Sequence, residues 1–206
     1  TDNGTANRDI YVESEQEIGG LLESAGVDQV DYRTAIVNPL VRNEEILYQL
    51  NGMSMYSSTN TEEMWNFVKN MGFENLENRF QYAGSTEVMD MLLGIRYLFC
   101  RNTRTLHTAY KKIAESQSFD LYENPRALRS GYMVSDSVLD YAMEGTDPLE
   151  VQNRLLSGIV GKRLYKMQTV NSDTALIGNT TFNIHLKKGE HGYLYIPGTE
   201  PDTVTI

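Results

Sequence analysis

The sequence predicts an α+β or α/β fold: a mixed sheet with covering helices, followed by a β-rich C-terminal portion. Three observations lead to this prediction. Helical periods alternate with β-branched runs over the first half of the chain, which is typical of helices packed on a sheet. An apolar run at residues 95–100 directly follows a short helical pattern, as a buried strand would. After Gly161 the chain contains only strand-like segments.

The N-terminal residues 1–9 are rich in Asn, Asp and Thr, and we expect them to be frayed. A helix is predicted from Ile10 to about Ser24, because apolar residues recur there at helical spacing. Gly26 is expected just past its end. The residues that define the apolar face are Ile18, Leu21 and Leu22.

Two strands and two helices are predicted next. The β-branched run 30–37 indicates a strand, and residues 46–50 indicate a short one. The first helix begins at a capping box, either Asn60 with Glu63 or Thr59 with Glu62, and its apolar face is Met64, Phe67, Val68 and Met71. The second begins at residues 84–87 and stops at Gly94, before the buried strand 95–100. This strand–helix–strand order predicts a parallel crossover.

Short strands are predicted at 110–113, 119–122 and 132–135. Asp147-Pro148 is a strong helix start, and that helix should run to Gly161. The domain prediction is therefore an α/β domain over 10–161 and a β-rich segment over 162–206, part of a truncated β-domain. Its predicted strands are 164–170, 180–186, 193–196 and 203–206.

Composition excludes several classes of function. The 28 Asp and Glu residues outnumber 18 Lys and Arg, giving a net charge of −10, which argues against nucleic acid as a partner. Cys100 is the single cysteine, so no intrachain disulfide or multi-cysteine metal site can form. The longest run without polar side chains, 91–95, is far too short to cross a bilayer.

No motif predicts catalysis within this chain. Residues 52–56, GMSMY, lack the second glycine of a nucleophile elbow. No glycine-rich phosphate loop is present, so no cofactor is expected. His185 and His191 flank a turn without a third ligand, so we assign no metal site.

Charged residues in an apolar stretch supply the candidate ligand-binding site. Asp90 and Arg96 lie on either side of the apolar run 91–95, and Arg96 is within the predicted buried strand. One interpretation places Asp90 on the solvent face of its helix and Arg96 on a strand edge. The other has them line a cleft at the end of a strand, beside the turn at Tyr56, Ser57 and Ser58.

The order of several short blocks resembles the extracytoplasmic region of the YfhO family of bacterial membrane proteins. The most specific blocks are 90–97, DMLLGIRY, and 122–128, YENPRAL, and the resemblance covers about residues 30 to 165. Arg96 stands where the family more often has Lys; both are cations.

The resemblance implies a large polytopic membrane protein that acts as a C-type glycosyltransferase. Such an enzyme would transfer a sugar from a polyprenyl-phosphate carrier to cell-wall polymers such as lipoteichoic acid. Its catalytic carboxylate would lie in a loop outside this sequence, so no catalytic residue is assigned here. The chain would be an accessory domain at the extracytoplasmic face of the cell membrane. Its partners would be the membrane-embedded remainder of the same chain and a glycopolymer or lipid-linked sugar.

Two alternatives of other classes stay open. The chain could be a non-catalytic module that binds wall polymer or another protein. A stand-alone enzyme is the third interpretation, and the absence of an assembled acid, base or nucleophile in the sequence argues against it.

Overall fold

A computed structural model of the chain describes residues 8–76, 78–102, 110–140, 145–166, 186–190 and 192–195. Helices and strands alternate through the first two thirds of the sequence, as predicted. A 3₁₀ segment at Asp136–Asp140 precedes the last helix. The elements are α1 (Arg8–Ser24), β1 (Arg33–Val37), α2 (Glu44–Leu47), β2 (Met55–Tyr56), α3 (Glu62–Asn70), β3 (Asn75–Leu76), β4 (Arg79–Phe80), α4 (Glu87–Leu92), β5 (Ile95–Arg101), β6 (Lys111–Glu115), β7 (Phe119–Glu123) and α5 (Pro148–Val160).

The main sheet is mixed and four-stranded, with the order β1-β5-β7-β6. β1 and β5 run parallel, and the pairs β5–β7 and β7–β6 are antiparallel. A parallel pair needs a long crossover, and this one contains α2, α3, α4 and a small antiparallel sheet of order β2-β4-β3. The predicted α+β class, the mixed sheet and the parallel crossover are confirmed.

The main sheet is covered on both faces around its central strand β5. On one face α1 packs Ile18 and Leu21 against Ile36, Phe99 and Phe119. The rings of Phe99 and Phe119 meet edge to face at 6.1 Å between centroids, a favourable aromatic geometry. The other face carries a second cluster formed by Ala35, Ile95 and Leu98, with Met53, Tyr82 and Tyr110 against it. Burial on both faces explains the continuous apolar run of β5.

Local signals set most helix ends as predicted. Thr86 caps α4, since its side chain accepts a hydrogen bond from the Met89 amide at 3.3 Å. Gly94 ends the turn after α4 at a φ of +69°, and a Cβ there would lie 2.7 Å from the Leu128 carbonyl oxygen. Asp147 caps α5 by accepting from the amides of Leu149 and Glu150. Glycine is required at residue 94 because both its φ and its close neighbour exclude a side chain.

Several local predictions are wrong. Residues 46–50 do not form a strand, because α2 occupies 44–47. The N-cap of α3 is Thr61, whose hydroxyl accepts from the Met64 amide, one residue beyond the predicted capping box. β1 starts at Arg33, because Asp28 accepts from the amides of residues 30 and 31 and holds them in a turn. Residues 132–135 form no strand. α1 begins at Arg8, two residues earlier than expected.

The chain divides into two compact units, Thr1–Val134 and Ser135–Ile206. The sequence places the boundary later, after residue 161. Within the second unit, the Ser137 hydroxyl donates to the Gly158 carbonyl, and Asn153 of α5 binds the backbone of residues 164 and 165. The contacts of Asn153 join α5 to the segment on its C-terminal side. Most of the strands predicted after residue 161 lie outside the described residues, and the described residues 193–195 form no strand.

Candidate functional site

Tyr56 is held rigidly at the surface of the first unit. Its amide donates to Asn43 Oδ1 at 2.7 Å, and its carbonyl accepts from Asn43 Nδ2 at 3.1 Å. On the other side, β2 pairs with β4 so that Tyr56 lies opposite Arg79. The backbone is therefore fixed from both sides, while the ring remains 42 % exposed. A fixed, half-exposed aromatic ring is suited to contact a ligand without a large entropy loss.

Two arginines flank this ring. The Arg42 guanidinium lies 4.5 Å from the Tyr56 ring centroid, which is a cation–π distance. Arg79 donates to Glu74 at 3.1 Å. Arg42, Tyr56 and Arg79 line one small depression of about 10 Å³, which is just enough for a single water, and the buried Glu44 and Glu45 line it as well. We call Arg42, Asn43, Tyr56 and Arg79, with the adjoining Ser57 and Ser58, the Tyr56 site.

The two serines extend the Tyr56 site with hydroxyl groups. Ser57 Oγ lies 2.8 Å from Thr59 Oγ1 and accepts from the Thr59 amide at 3.1 Å, which shapes the turn after β2. The Ser57 amide donates to the Asn78 carbonyl at 3.0 Å. Ser58 is exposed. Tyr56 and the two serines predicted with it therefore lie together at one turn.

Asp90 is buried in α4, with 3 % of its surface exposed, rather than on the solvent face of that helix. Three hydroxyl groups donate to it: those of Tyr82 at 2.9 Å, Tyr110 at 2.7 Å and Ser85 at 2.6 Å. Burial raises the pKa of Asp90, and the three hydrogen bonds oppose that rise. Burial and the neighbouring Asp90 also raise the pKa of Tyr82 well above its ordinary value.

A second buried carboxylate, Glu45, belongs to the same network as Asp90, and Ser54 joins the two. Glu45 is 1 % exposed and accepts from the amides of Ile36 at 3.0 Å and Ser54 at 2.8 Å. The Ser54 hydroxyl donates to Glu45 at 3.0 Å and accepts from the Tyr82 amide at 3.1 Å. A continuous chain of hydrogen bonds therefore runs from β1 through Glu45, Ser54 and Tyr82 to Asp90. Burial raises the pKa of Glu45.

Arg96 belongs to a separate group. It donates from two nitrogens to Glu123, at 3.0 and 2.7 Å, and its guanidinium lies 4.6 Å from the Tyr32 ring centroid. Within the described ranges, no hydrogen bond joins Arg96 to Asp90 or to the Tyr56 site. The hydrogen-bond network joins Asp90 to Ser54, two residues before Tyr56, and leaves Arg96 outside it.

The side chains of the candidate site that depend on tertiary contacts could not be predicted from the sequence. Arg42 and Arg79 have no unusual local context, and only the β2–β4 pairing and the position of α2 bring them to Tyr56. A usable signal did exist for Glu44 and Glu45, since two adjacent acids precede an apolar pair at 46–47. Both are 1 % exposed; Glu44 pairs with the buried Arg101 at the end of β5.

Two further features of the described residues bear on what the chain could bind, an open groove and the arrangement of metal-ligating side chains. A wider open groove of about 550 Å³ lies between α1 and α2, lined by Tyr11, Val12, Leu47 and Tyr48 together with Arg8 and Glu15. Among the residues that the structure describes, no three His, Cys, Asp or Glu side chains gather in a position to hold a metal ion. His185 and His191 lie outside the described residues.

A family model for the bacterial membrane protein YfhO matches residues 3–196. The chain belongs to the YfhO family. The resemblance inferred from the 90–97 and 122–128 blocks is confirmed, and it extends over nearly the whole chain. No curated protein and no solved structure matches this YfhO-family chain significantly. In the part of the chain that the structure describes, no helix is both long and apolar enough to cross a membrane.

Proposed function

We propose that this chain is an extracytoplasmic accessory domain of a membrane glycosyltransferase that uses a polyprenyl-phosphate sugar and acts on cell-wall polymers such as lipoteichoic acid. The single observation that carries the proposal is the match to the YfhO membrane-protein family over residues 3–196. The role of the domain is to position the acceptor polymer for a catalytic residue elsewhere in the full protein.

The geometry supports a binding role rather than a catalytic one. The buried carboxyls Glu45 and Asp90 accept hydrogen bonds from the protein itself, and the depression of about 10 Å³ that Glu45 lines is too small for a sugar. The exposed Tyr56 and Ser58, with the partly buried Ser57 between them, are the groups that would contact a polymer. Asp90 and Arg96 act as positioning residues. Asp90 holds Tyr82, whose amide donates to Ser54 two residues before Tyr56, and Arg96 of β5 pairs with Glu123 of β7.

The test is sugar transfer in cells by the full-length protein carrying Tyr56→Ala. We expect transfer to fall several-fold while the amount of protein in the membrane is unchanged, because the ring is half-exposed and its loss removes a contact surface. Tyr195→Ala is the matched control, since Tyr195 has a similar exposed fraction of 41 % and belongs to the second unit. Normal transfer by the Tyr56 variant would remove the acceptor-positioning role.

Arg96→Gln tests the positioning role separately. Loss of the two hydrogen bonds to Glu123 should reduce transfer and also lower the thermal stability of the domain. Unchanged transfer together with unchanged stability would show that Arg96 has no part in either.

The open groove between α1 and α2 favours a second candidate function, a non-catalytic module that binds wall polymer or another protein. Exposed apolar side chains border it, including Leu47 at 49 % and Val12 at 44 %. A saturable change in Trp65 or Tyr fluorescence with isolated glycopolymer would support ligand binding. No response across polymers, with one protein recovered by crosslinking at Leu47, would support the interaction module.

A further inference from the structure

Two arginines of the Tyr56 site carry hydrogen-bond donors that the described structure does not use. Arg42 is exposed and forms no ion pair with any described residue. Arg79 uses one terminal nitrogen for Glu74, while its Nε is buried and has no hydrogen-bond partner among the described residues. A buried donor without a partner costs free energy, so a ligand that accepts from it would be favoured.

Two carboxylates, Glu44 and Glu45, line the same depression as these arginines, and both already have partners within the protein. Glu44 is paired with Arg101, and Glu45 accepts from backbone amides and from Ser54. Glu74 is the remaining competitor, and it is 37 % exposed, so water screens its attraction to Arg79. In a chain of net charge −10, a place with two incompletely neutralised guanidinium groups is suited to an anion.

The site is also held in place before any ligand arrives. Asn43 fixes the Tyr56 backbone on one side and β4 fixes it on the other. Arg79 is carried by that same strand β4, directly opposite Tyr56, and the Tyr56 ring orients Arg42 at 4.5 Å. Because these groups need little rearrangement, their hydrogen bonds to a ligand would lose little to ordering.

We propose that the Tyr56 site binds a phosphate ester. A carboxylate holds its two oxygens in one plane and is satisfied by one guanidinium fork, whereas the oxygens of a phosphate ester point outward from a tetrahedral phosphorus and can be approached by guanidinium groups from two sides. Arg42 and Arg79 contact the phosphate across the mouth of the 10 Å³ depression, which has room for one oxygen-sized group. The exposed Tyr56 ring then carries the organic part attached to the phosphate. That this ligand belongs to the acceptor of sugar transfer rests on the proposed function. The binding site itself is argued from these side chains alone.

The experiment is a titration of the purified, ¹⁵N-labelled 206-residue chain followed by NMR. One arm uses inorganic phosphate and glycerol phosphate at constant ionic strength, and the other uses vesicles of phosphatidylglycerol against vesicles of phosphatidylcholine. Saturable shifts of the Tyr56 and Ser57 amide signals with soluble phosphates support a soluble or polymer-borne ester. Shifts with phosphatidylglycerol vesicles alone support a lipid headgroup as the source. No saturable shift in either arm overturns the proposal.

Matched variants decide whether binding is local. Arg42→Gln should weaken phosphate binding about tenfold, equivalent to about 1.4 kcal/mol. Arg42→Lys should fall between, because it keeps the charge but loses the planar fork. Arg126→Gln is the control, since the Arg126 side chain is 77 % exposed and forms an ion pair with Glu87 rather than belonging to the Tyr56 site. Equal weakening by the Arg42 and Arg126 variants would mean diffuse charge attraction and would overturn the proposal.

All three variants change exposed side chains, so an unchanged NMR spectrum in the absence of phosphate will confirm that each is folded. The result is independent of sugar transfer. Loss of transfer by the Tyr56 variant without any phosphate binding would retain the proposed function and remove this inference. Phosphate binding by the native chain, together with normal transfer by the Tyr56 variant, would retain this inference and remove the proposed function.

Discussion

The two buried carboxylates of the network are held by different kinds of donor. Each oxygen of Glu45 accepts from a backbone amide, that of Ile36 or that of Ser54, which can only donate, and the Ser54 hydroxyl donates to one of these oxygens as well. Asp90 accepts from three hydroxyls, which can rotate and accept instead. The same substitution of acid by amide should therefore have different effects at the two residues.

Asp90→Asn should lower the free energy of unfolding by less than about 1 kcal/mol, whereas Glu45→Gln should lower it by about 1–3 kcal/mol. The new amide NH₂ at residue 90 can donate to a rotated hydroxyl. At residue 45 it either faces backbone N–H groups or leaves them without an acceptor. Urea unfolding of both variants at neutral pH measures this difference, and a larger loss for the Asp90 variant would contradict it.

Asp90 also gives a pH dependence with a defined sign. Burial raises its pKa in the folded state above its ordinary value of 3.8, so the folded protein holds the proton more tightly than the unfolded chain does. The resulting stability is fully present below the unfolded pKa and is lost as pH rises through the folded pKa. The stability of the native protein minus that of Asp90→Asn should fall as pH rises above about 3.8, then level off. A difference that grows with pH would contradict the raised pKa.

Gly52 is required by the Glu45 side chain. A Cβ at residue 52 would collide with the Glu45 carboxylate and lie 2.6 Å from the Glu45 Cβ. Gly52→Ala should destabilise the protein by about 1–3 kcal/mol. Gly20→Ala is the control: it lies in α1 with no atom within 4 Å of its added Cβ, and should stabilise by about 0.5–1 kcal/mol. Thermal unfolding will compare the two; a neutral Gly52→Ala would show that Glu45 can move.

At the scale of elements, α2 shows how a polar contact fixes a segment that its local sequence does not. The apolar residues at 46–50 indicate a strand, but Ile46 and Leu47 are exposed while Glu44 and Glu45 are buried. Glu44 pairs with Arg101 at the end of β5, and Arg101 also lies over the Phe119 ring at 4.4 Å. The helix is therefore anchored by its acids.

Removing one member of the Glu44–Arg101 pair should cost about 3–5 kcal/mol, because the partner is left as an uncompensated buried charge. Arg101→Met and Glu44→Gln are the single variants. The double variant should lose less stability than the two single variants lose together. A double-mutant cycle measured by urea unfolding gives this coupling free energy. Additive losses would mean that the two side chains do not interact in solution.

The elements that the sequence predicted are those with strong local signals. β5 is a continuous apolar run, and α5 has Asp147, Pro148 and Gly161 at its ends. β3 and β4 are two residues long and exist through their pairing, so no period could reveal them. The same division holds at the site. Asp90 was noticeable as a charge among apolar residues, whereas Arg42 and Arg79 become significant only through their tertiary neighbours.

At the scale of the whole molecule, two units succeed one another along a chain that belongs to a membrane-protein family. The first unit contains the sheet, the hydrogen-bond network and the Tyr56 site. A binding site at the surface, as proposed for the Tyr56 site, is what the proposed positioning domain needs, since catalysis would come from another part of the full protein. The proposed function requires above all that this chain is an outward-facing part of a larger membrane protein.

That claim is tested most directly by fractionating the source cells and probing them with an antibody raised against this chain. An outward-facing part of a larger membrane protein should give a band much heavier than 23.4 kDa that is confined to the membrane fraction and is degraded when protease is added outside intact cells. A band near 23.4 kDa in the soluble fraction would contradict it.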